Sequence, residues 1–246
     1  MISIIIPTYN NLESFLRPCL RSIATNTNMK DVEVLVSANG CRDGTAEYVT
    51  ELGEPFKLVL STDPIGFPKA VNAGIKESAG DYVILLNDDT ILLQQSANAW
   101  IDMLLKPFLD DPDVGLTGPL KSYIPELKKE FLIFFCVMIK RELFSELGYL
   151  DESVGLGGTE DMRFCIEAQN AGYKIVQVPD EQSKVDNDRV IGGFPIWHEG
   201  EGTMSGITEW SNTLDKNMTT LIETYQSDPV VSLGSLNSDP HTAKII

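Results

Sequence analysis

Five apolar residues that stop abruptly at three polar ones constrain this chain most: Tyr82–Leu86, YVILL, runs straight into Asn87-Asp88-Asp89. An unbroken apolar run of that length suits a strand buried on both faces, as in a parallel sheet covered by helices. Open sheets of this kind take their ligands outside the carboxyl ends of the strands, so Asn87, Asp88 and Asp89 stand where chemistry would be done. Adjacent carboxylates repel unless a cation or solvent relieves them, and hard oxygen ligands suit Mg²⁺ or Mn²⁺ carrying phosphate oxygens. Asp-Asp-Thr ahead of a helical pattern also makes a good helix cap. Both readings stand on this stretch alone.

The flanking pattern repeats the theme. Ile2 to Ile6 is a β-branched run ending at Pro7-Thr8-Tyr9-Asn10, with Asn10 or Asn11 placed to cap a helix carrying Leu12, Leu16, Leu20 and Ile23. Strands are expected at 32–36, 58–60, 82–86 and 114–118, and helices near 45–52, 70–79 and 97–109. Strands alternating with helices, over short connections and without a hairpin signal, give an α/β fold with a doubly wound, mostly parallel sheet. Further along, one long strand is expected over Phe131–Ile139, then a short helix over 141–147 and a helix opening at Thr159-Glu160-Asp161. A strand over 173–178, a polar mobile loop over 180–193, a short strand over 194–198 and a helix over 209–225 complete the pattern. Residues 226–246 are a polar tail, expected to be disordered.

Charge narrows the function. The 246 residues carry a formal net charge of −17, which argues against nucleic acid as a partner, because such binding needs clustered Lys and Arg. The same charge repels a diphosphate unless a metal or local cations intervene. Cys19, Cys41, Cys136 and Cys165 show no C-x-x-C spacing and read as thiols of a reducing compartment. The start, MISIIIPTYN, lacks the basic region of a signal peptide, and the longest apolar run, Phe131–Ile139, falls short of the roughly 20 residues that span a bilayer. The expectation is a soluble, cytoplasmic protein with no transmembrane segment, with peripheral membrane contact through Phe131–Ile139 left open.

Seven motifs follow one another: PTYN at 7–10, NGCRDGT at 39–45, GFPKAVNAGI at 66–75, LLNDDT at 85–90, KRELFSELGYLDE at 140–152, GGTEDMRFCIEAQNAGYKI at 157–175 and WH at 197–198. In order and spacing, over about residues 2 to 200, they resemble the inverting glycosyltransferases of family 2. That resemblance implies the GT-A fold, a Rossmann-like sheet with a smaller acceptor-side region. It divides residues 1–225 into a nucleotide-binding half, about 1–112, and an acceptor-side half, about 113–225.

The resemblance also assigns roles. Pro7, Thr8 and Tyr9 would border the base and ribose. Asn39, Arg42, Gly66, Lys69, Asn72, Asn87 and Asp88 complete the nucleotide-sugar set, with Arg42 and Lys69 as cations that read equally well as solvated surface charge. The family usually places an Asp at the end of the second strand to read a pyrimidine. Ala38 stands there in this chain, followed by Asn39, which can donate and accept, so nucleotides besides UDP stay open. Asp89 would hold the metal, Mn²⁺ or Mg²⁺, together with His198, one of only two histidines. Asp161 would be the general base, with Glu160 beside it; both also suit the start of a helix, where the dipole favours acids.

The resulting expectation is a metal-dependent, inverting transferase moving a sugar from a nucleotide-diphosphate sugar, UDP-linked in the first instance, to a hydroxyl of a glycan or other acceptor. A nucleotidyltransferase would share the sheet and the metal acids, but it carries a glycine-rich basic loop after the first strand, and PTYNNLES has no glycine there. A non-catalytic nucleotide-sugar-binding module would share the fold without needing Asp89, Asp161 and His198 together.

Overall fold

A strand covered on both faces sends alternate side chains into two cores, and Ile2–Thr8 (β1) does so: Ile4 and Ile6 enter one, Ile5 the other. The computed structural model describes residues 1–179, 185–186, 190–191, 193–200 and 210–226. After β1, a wide turn of π type over Leu12–Leu16 leads into Arg17–Asn26 (α1). Neither Asn10 nor Asn11 caps it through its side chain; Asp43 does, its Oδ2 accepting the Leu12 amide at 2.8 Å. Val32–Asn39 (β2), Thr45–Leu52 (α2), Phe56–Ser61 (β3), Phe67–Glu77 (α3) and Tyr82–Leu86 (β4) follow as two right-sized strand–helix repeats.

Past the acidic turn come Thr90–Leu92 (β5), Ala99–Asp110 (α4), Val114–Gly118 (β6), Lys121–Ile124 (β7), Lys129–Leu132 (β8), Cys136–Lys140 (β9) and Arg141–Glu146 (α5). Then follow Glu160–Asn170 (α6), Lys174–Gln177 (β10), the two-residue strands Val185–Asp186 (β11) and Val190–Ile191 (β12), Ile196–His198 (β13) and Trp210–Gln226 (α7). The main sheet runs β3-β2-β1-β4-β9-β6-β10, parallel except for β9, which is antiparallel to both its neighbours. Strand order reverses between β1 and β4, so a crevice opens at their carboxyl ends.

Both faces of the sheet are covered. Cys19, Leu20 and Ile23 of α1, Val49 of α2 and Trp100 and Leu104 of α4 pack with Ile84 and Met138 on one side. Val71 and Ile75 of α3, Leu143 of α5, Phe164 and Ile166 of α6, and Leu221 and Tyr225 of α7 pack with Val83 and Ile139 on the other.

Three expectations are corrected. Phe131–Ile139 is two strands rather than one, because the chain breaks at Ile133–Phe135: the Ile133 amide turns to Leu120 O (3.0 Å) and Phe135 O accepts the Asn87 amide (2.8 Å). A hairpin exists after all: β7 pairs antiparallel with β8 around Pro125–Lys128, where Lys128 sits at φ 52°. The apolar run is buried apart from a half-covered Ile133, so it offers no membrane-facing patch. Of the loop expected over 180–193, β11 and β12 form an antiparallel pair, and most of the remainder lies outside the described residues. So does the tail from 227. No helix among the described residues is long and apolar enough to cross a membrane.

Candidate active site

The acidic turn is built from three directions. β4 delivers Asn87-Asp88-Asp89 at the crevice, and β1 brings Thr8, whose hydroxyl donates to Asp88 Oδ2 at 2.6 Å. Burial pushes the Asp88 carboxyl up to about 7, against the pull of that bond. β5 then pairs antiparallel with β13, opposing His198 to Thr90, and the Glu199 amide donates to Asp89 O at 3.0 Å. The His198 ring stacks on Phe135, with centroids 4.3 Å apart and planes 12° from parallel.

This pairing leaves His198 Nε2 3.3 Å from Asp89 Oδ1. Both atoms are buried without a hydrogen-bond partner, as is Asn87 Oδ1 of the same turn. Buried polar atoms left this way are costly, and a proton on the imidazole or a shared cation would relieve both. A nitrogen and a carboxylate oxygen 3.3 Å apart, both unpartnered, fit a divalent ion that takes its remaining ligands from phosphate or water. Among the described residues no three His, Cys, Asp or Glu side chains come together as a complete metal cage. The fit is therefore that of a two-residue site completed by a ligand.

The facing wall is the start of α6. Gly155, Gly157 and Gly158 all hold positive φ, a conformation glycine adopts without strain, and they carry the chain round to Thr159. Glu160 Oε2 accepts the amides of Gly158 (2.6 Å) and Thr159 (3.0 Å), so Glu160 is spent on its own helix start. Burial raises its pKa in spite of those bonds. Asp161 accepts the Met162 amide at 2.7 Å; burial first, and the Glu160 charge second, push its carboxyl up to about 7. Gly66 sits at φ 89° against this loop, where a Cβ would meet Gly155 O at 2.2 Å.

Between the two walls lies a cleft of about 520 Å³. It brings together Pro7, Thr8, Tyr9, Asn39, Gly66, Asn87, Asp88, Asp89, Glu160, Asp161 and His198. Among the described residues its ionisable lining is four carboxylates, one imidazole and the Tyr9 phenol, with no Lys or Arg, so a diphosphate entering it needs a cation. Three expected residues stand outside. Arg42 is exposed and offers its backbone amide to Asn10 Oδ1 at 2.8 Å, and Lys69 is exposed on the first turn of α3. Asn72 is buried and binds the Leu150 carbonyl (2.9 Å), the Leu150 amide (3.0 Å) and Glu152 Oε1 (2.9 Å). The sequence did not point to Pro64, Phe67, Leu156 and Ile133–Phe135, which supply the apolar wall. Its only signal was that nine apolar residues exceed an ordinary strand of about 5–6.

The profile of glycosyl transferase family 2 matches residues 3–133. An N-acetylglucosaminyltransferase of Bradyrhizobium elkanii is 31% identical over 120 residues, covering 46% of this chain and 62% of its own length. Across three curated relatives the chain spans 15%, 24% and 62% of their length. Among solved structures, a mannosyltransferase of Pyrobaculum calidifontis in complex with GDP-Man and Mn²⁺ superposes with TM-score 0.59 at 23% identity, over 73% of this chain and 55% of its own. S. aureus TarS residues 1–349 in complex with UDP-GlcNAc gives TM-score 0.55 at 20% identity, over 72% and 56%. The likeness to these structures carries the fold, which is GT-A.

Proposed function

Because the chain belongs to glycosyl transferase family 2, we propose that this cleft transfers a sugar from a nucleotide-diphosphate sugar to an acceptor hydroxyl, with inversion and with a divalent metal. The observation that carries the proposal is the pair of unpartnered buried atoms, Asp89 Oδ1 and His198 Nε2, facing across the cleft from Asp161. Asp89 and His198 would hold Mn²⁺ or Mg²⁺, and the bound cation would neutralise charge on the diphosphate as it leaves. Pro7, Thr8, Tyr9 and Asn39 line the end suited to the nucleoside, with UDP the first nucleotide to test and GDP the second. Asn39 Oδ1 already accepts the Ile65 amide at 2.7 Å, which leaves its NH₂ to meet a base.

Asp161, as carboxylate, takes the proton from the acceptor hydroxyl. The freed oxygen bonds to the anomeric carbon from the face opposite the diphosphate, and the departing C–O pair stays on the nucleoside diphosphate. A carboxylate is a weak base in water; burial beside Glu160 strengthens this one towards neutral pH. The apolar wall of Phe67, Leu156 and Ile133–Phe135 excludes water, which would otherwise compete as acceptor. A glycan hydroxyl is the proposed acceptor.

The test is a panel of nucleotide sugars screened by thermal shift with Mn²⁺ and with chelator, followed by product analysis. Only the right donor should raise the melting point, and only with metal. Equal stabilisation in chelator would remove the metal from the proposal, and a retained anomeric configuration would remove the mechanism.

A further inference from the structure

The loop that leads into Asp161, at the start of α6, is rich in glycine. Gly155, Gly157 and Gly158 have no side chains and sit at φ 70°, 127° and 112°, and glycine loses more backbone freedom on ordering than any other residue. A base in the first turn after such a loop is well placed only if something fixes the backbone that leads to it, since small misplacement of a reacting group costs rate. Besides the loop's own turn bonds, from the Gly155 amide to Glu152 O (3.3 Å) and from the Gly157 amide to Val154 O (3.5 Å), three fixtures are visible. Glu160 holds the amides of Gly158 and Thr159, and the Phe67 amide donates to Leu156 O at 3.4 Å. The third comes from α7, about 60 residues away in sequence: Asn217 Nδ2 donates to Val154 O at 2.9 Å and Gly157 O at 3.1 Å.

The geometry points to Asn217 as a positioning residue that clamps the glycine loop and so sets the place of Asp161. This rests on the proposed role of Asp161 as the base. Both N–H bonds of one amide bracket the loop, closing on carbonyls at either side of Gly155-Leu156. Glu160 works from the opposite direction, on the amides that follow. The loop is held by its carbonyls from α7 and α3 and by its amides from α6. Asn217 reaches neither the cleft nor the metal pair, so its loss should leave donor binding alone. α7 has other attachments: Leu221 and Tyr225 are buried in the core, and the Tyr225 hydroxyl donates to Glu167 Oε1 at 3.0 Å. The helix can therefore stay docked without the clamp.

The experiment compares Asn217→Asp, which keeps the shape but cannot donate, with Asn217→Ala and with Tyr225→Phe, which cuts a different tether of the same helix. Two measurements are made on the full chain. The first is hydrogen exchange at the amides of residues 156–162. The second is Mn²⁺-dependent hydrolysis of UDP-GlcNAc or GDP-mannose, with nucleoside diphosphate affinity taken by calorimetry. Losing two hydrogen bonds to a flexible loop should speed exchange there roughly tenfold in both Asn217 variants. It should lower kcat by about tenfold at unchanged KM and unchanged nucleotide affinity, the signature of a group misplaced for the chemical step. Tyr225→Phe should do neither.

If Asn217→Asp unsettles the helix by charge, Asn217→Ala decides. Loop exchange that stays at the wild-type rate, or a Tyr225→Phe variant that matches the Asn217 variants in both measurements, overturns the clamp. Should the wild type hydrolyse neither donor, the proposed function is what fails, and exchange still decides whether Asn217 orders the loop.

Discussion

The two ends of the main sheet handle acids in opposite ways. At the amino end Glu33 is buried, yet it accepts from Ser3 Oγ (2.6 Å), the Ala79 amide (2.7 Å) and Lys57 Nζ (2.9 Å). Burial pushes it up, but those donors outweigh burial and hold its carboxyl below the ordinary range. Arg141 finishes the same corner, donating to Gly80 O and to Ser78 Oγ (2.7 Å). At the carboxyl end Asp88, Asp89, Glu160 and Asp161 crowd one cleft whose described lining holds no Lys or Arg. Asp88 and Asp161 are pushed up to about 7, and Asp89 keeps an unpartnered oxygen. One end has been satisfied by its own side chains, and the other leaves its charge for something that binds. Strain of that kind is retained where it is used.

The largest expected effects come from exchanging one acid at each end. Asp161→Asn should lower transfer by about 10²-fold or more, the usual share of acid–base catalysis, with donor and metal binding preserved. Glu33→Gln should do the reverse, costing about 1–3 kcal/mol by weakening a satisfied buried acid while kcat stays put. Denaturation midpoints and steady-state rates on the two variants separate these outcomes. If both variants lose stability alike and keep activity, the contrast between the two ends is empty.

His198→Ala comes next. It removes one of the two unpartnered atoms, so Mn²⁺-dependent nucleoside diphosphate binding should weaken by about 10-fold to 100-fold, as metal sites do on losing support. Calorimetry in Mn²⁺ and in chelator reads this directly. Wild-type affinity in the variant would make the Asp89–His198 contact a packing feature and nothing more.

The pH dependence follows at smaller amplitude. A base must be ionised to accept a proton, so transfer should be flat above about 7 and fall about tenfold per unit below it. Stability runs the other way. Asp161 has its folded pKa raised above the ordinary 3.8, so its contribution is fully present below 3.8 and is lost as pH rises through about 7. Asp161→Asn should flatten that part of the stability profile in a pH series of denaturation curves. A rate profile with its midpoint near 4 would mean that Asp161 is solvated and unperturbed.

Much of this was legible in the residues, for identifiable reasons. β4 stops at Asn87, because a buried strand has to end where polarity begins, and β6 stops at Pro119, which has no N–H to offer a ladder. The break between β8 and β9 was hidden for the same reason: Ile133–Phe135 line the cleft with apolar side chains, so no polarity marks the interruption. The β7–β8 turn escaped notice because it uses Lys128 at positive φ and no glycine. The meeting of Asp89 with His198 depends on β5 pairing with β13 more than 100 residues later, and no local pattern encodes that register. Motif spacing from a family resemblance suggested the two residues, while their shared orientation needed the fold. Asn72 shows the converse, since it stands inside a motif yet faces Leu150 and Glu152.

The smallest effect, and the one that resolves the two acids at α6, belongs to Glu160→Gln. Glu160 uses one oxygen to accept from Gly158 and Thr159, and a glutamine carbonyl can accept in its place, so the loop should keep its shape. What disappears is a negative charge beside Asp161. Burial is the larger cause of Asp161's raised pKa and survives the change; the Glu160 charge is the second cause and does not. Removing an adjacent anion favours the carboxylate, so the midpoint of the rate profile should move to lower pH without returning to 3.8. At pH 8, where Asp161 is ionised in both proteins, rates should agree within about threefold, as the base itself is untouched. A base at Glu160 would give the opposite pattern, with a loss of about 10²-fold in Glu160→Gln and near-normal transfer in Asp161→Asn. The direction in which the midpoint moves then says whether these neighbours act as one base tuned by one anion or have been assigned in the wrong order.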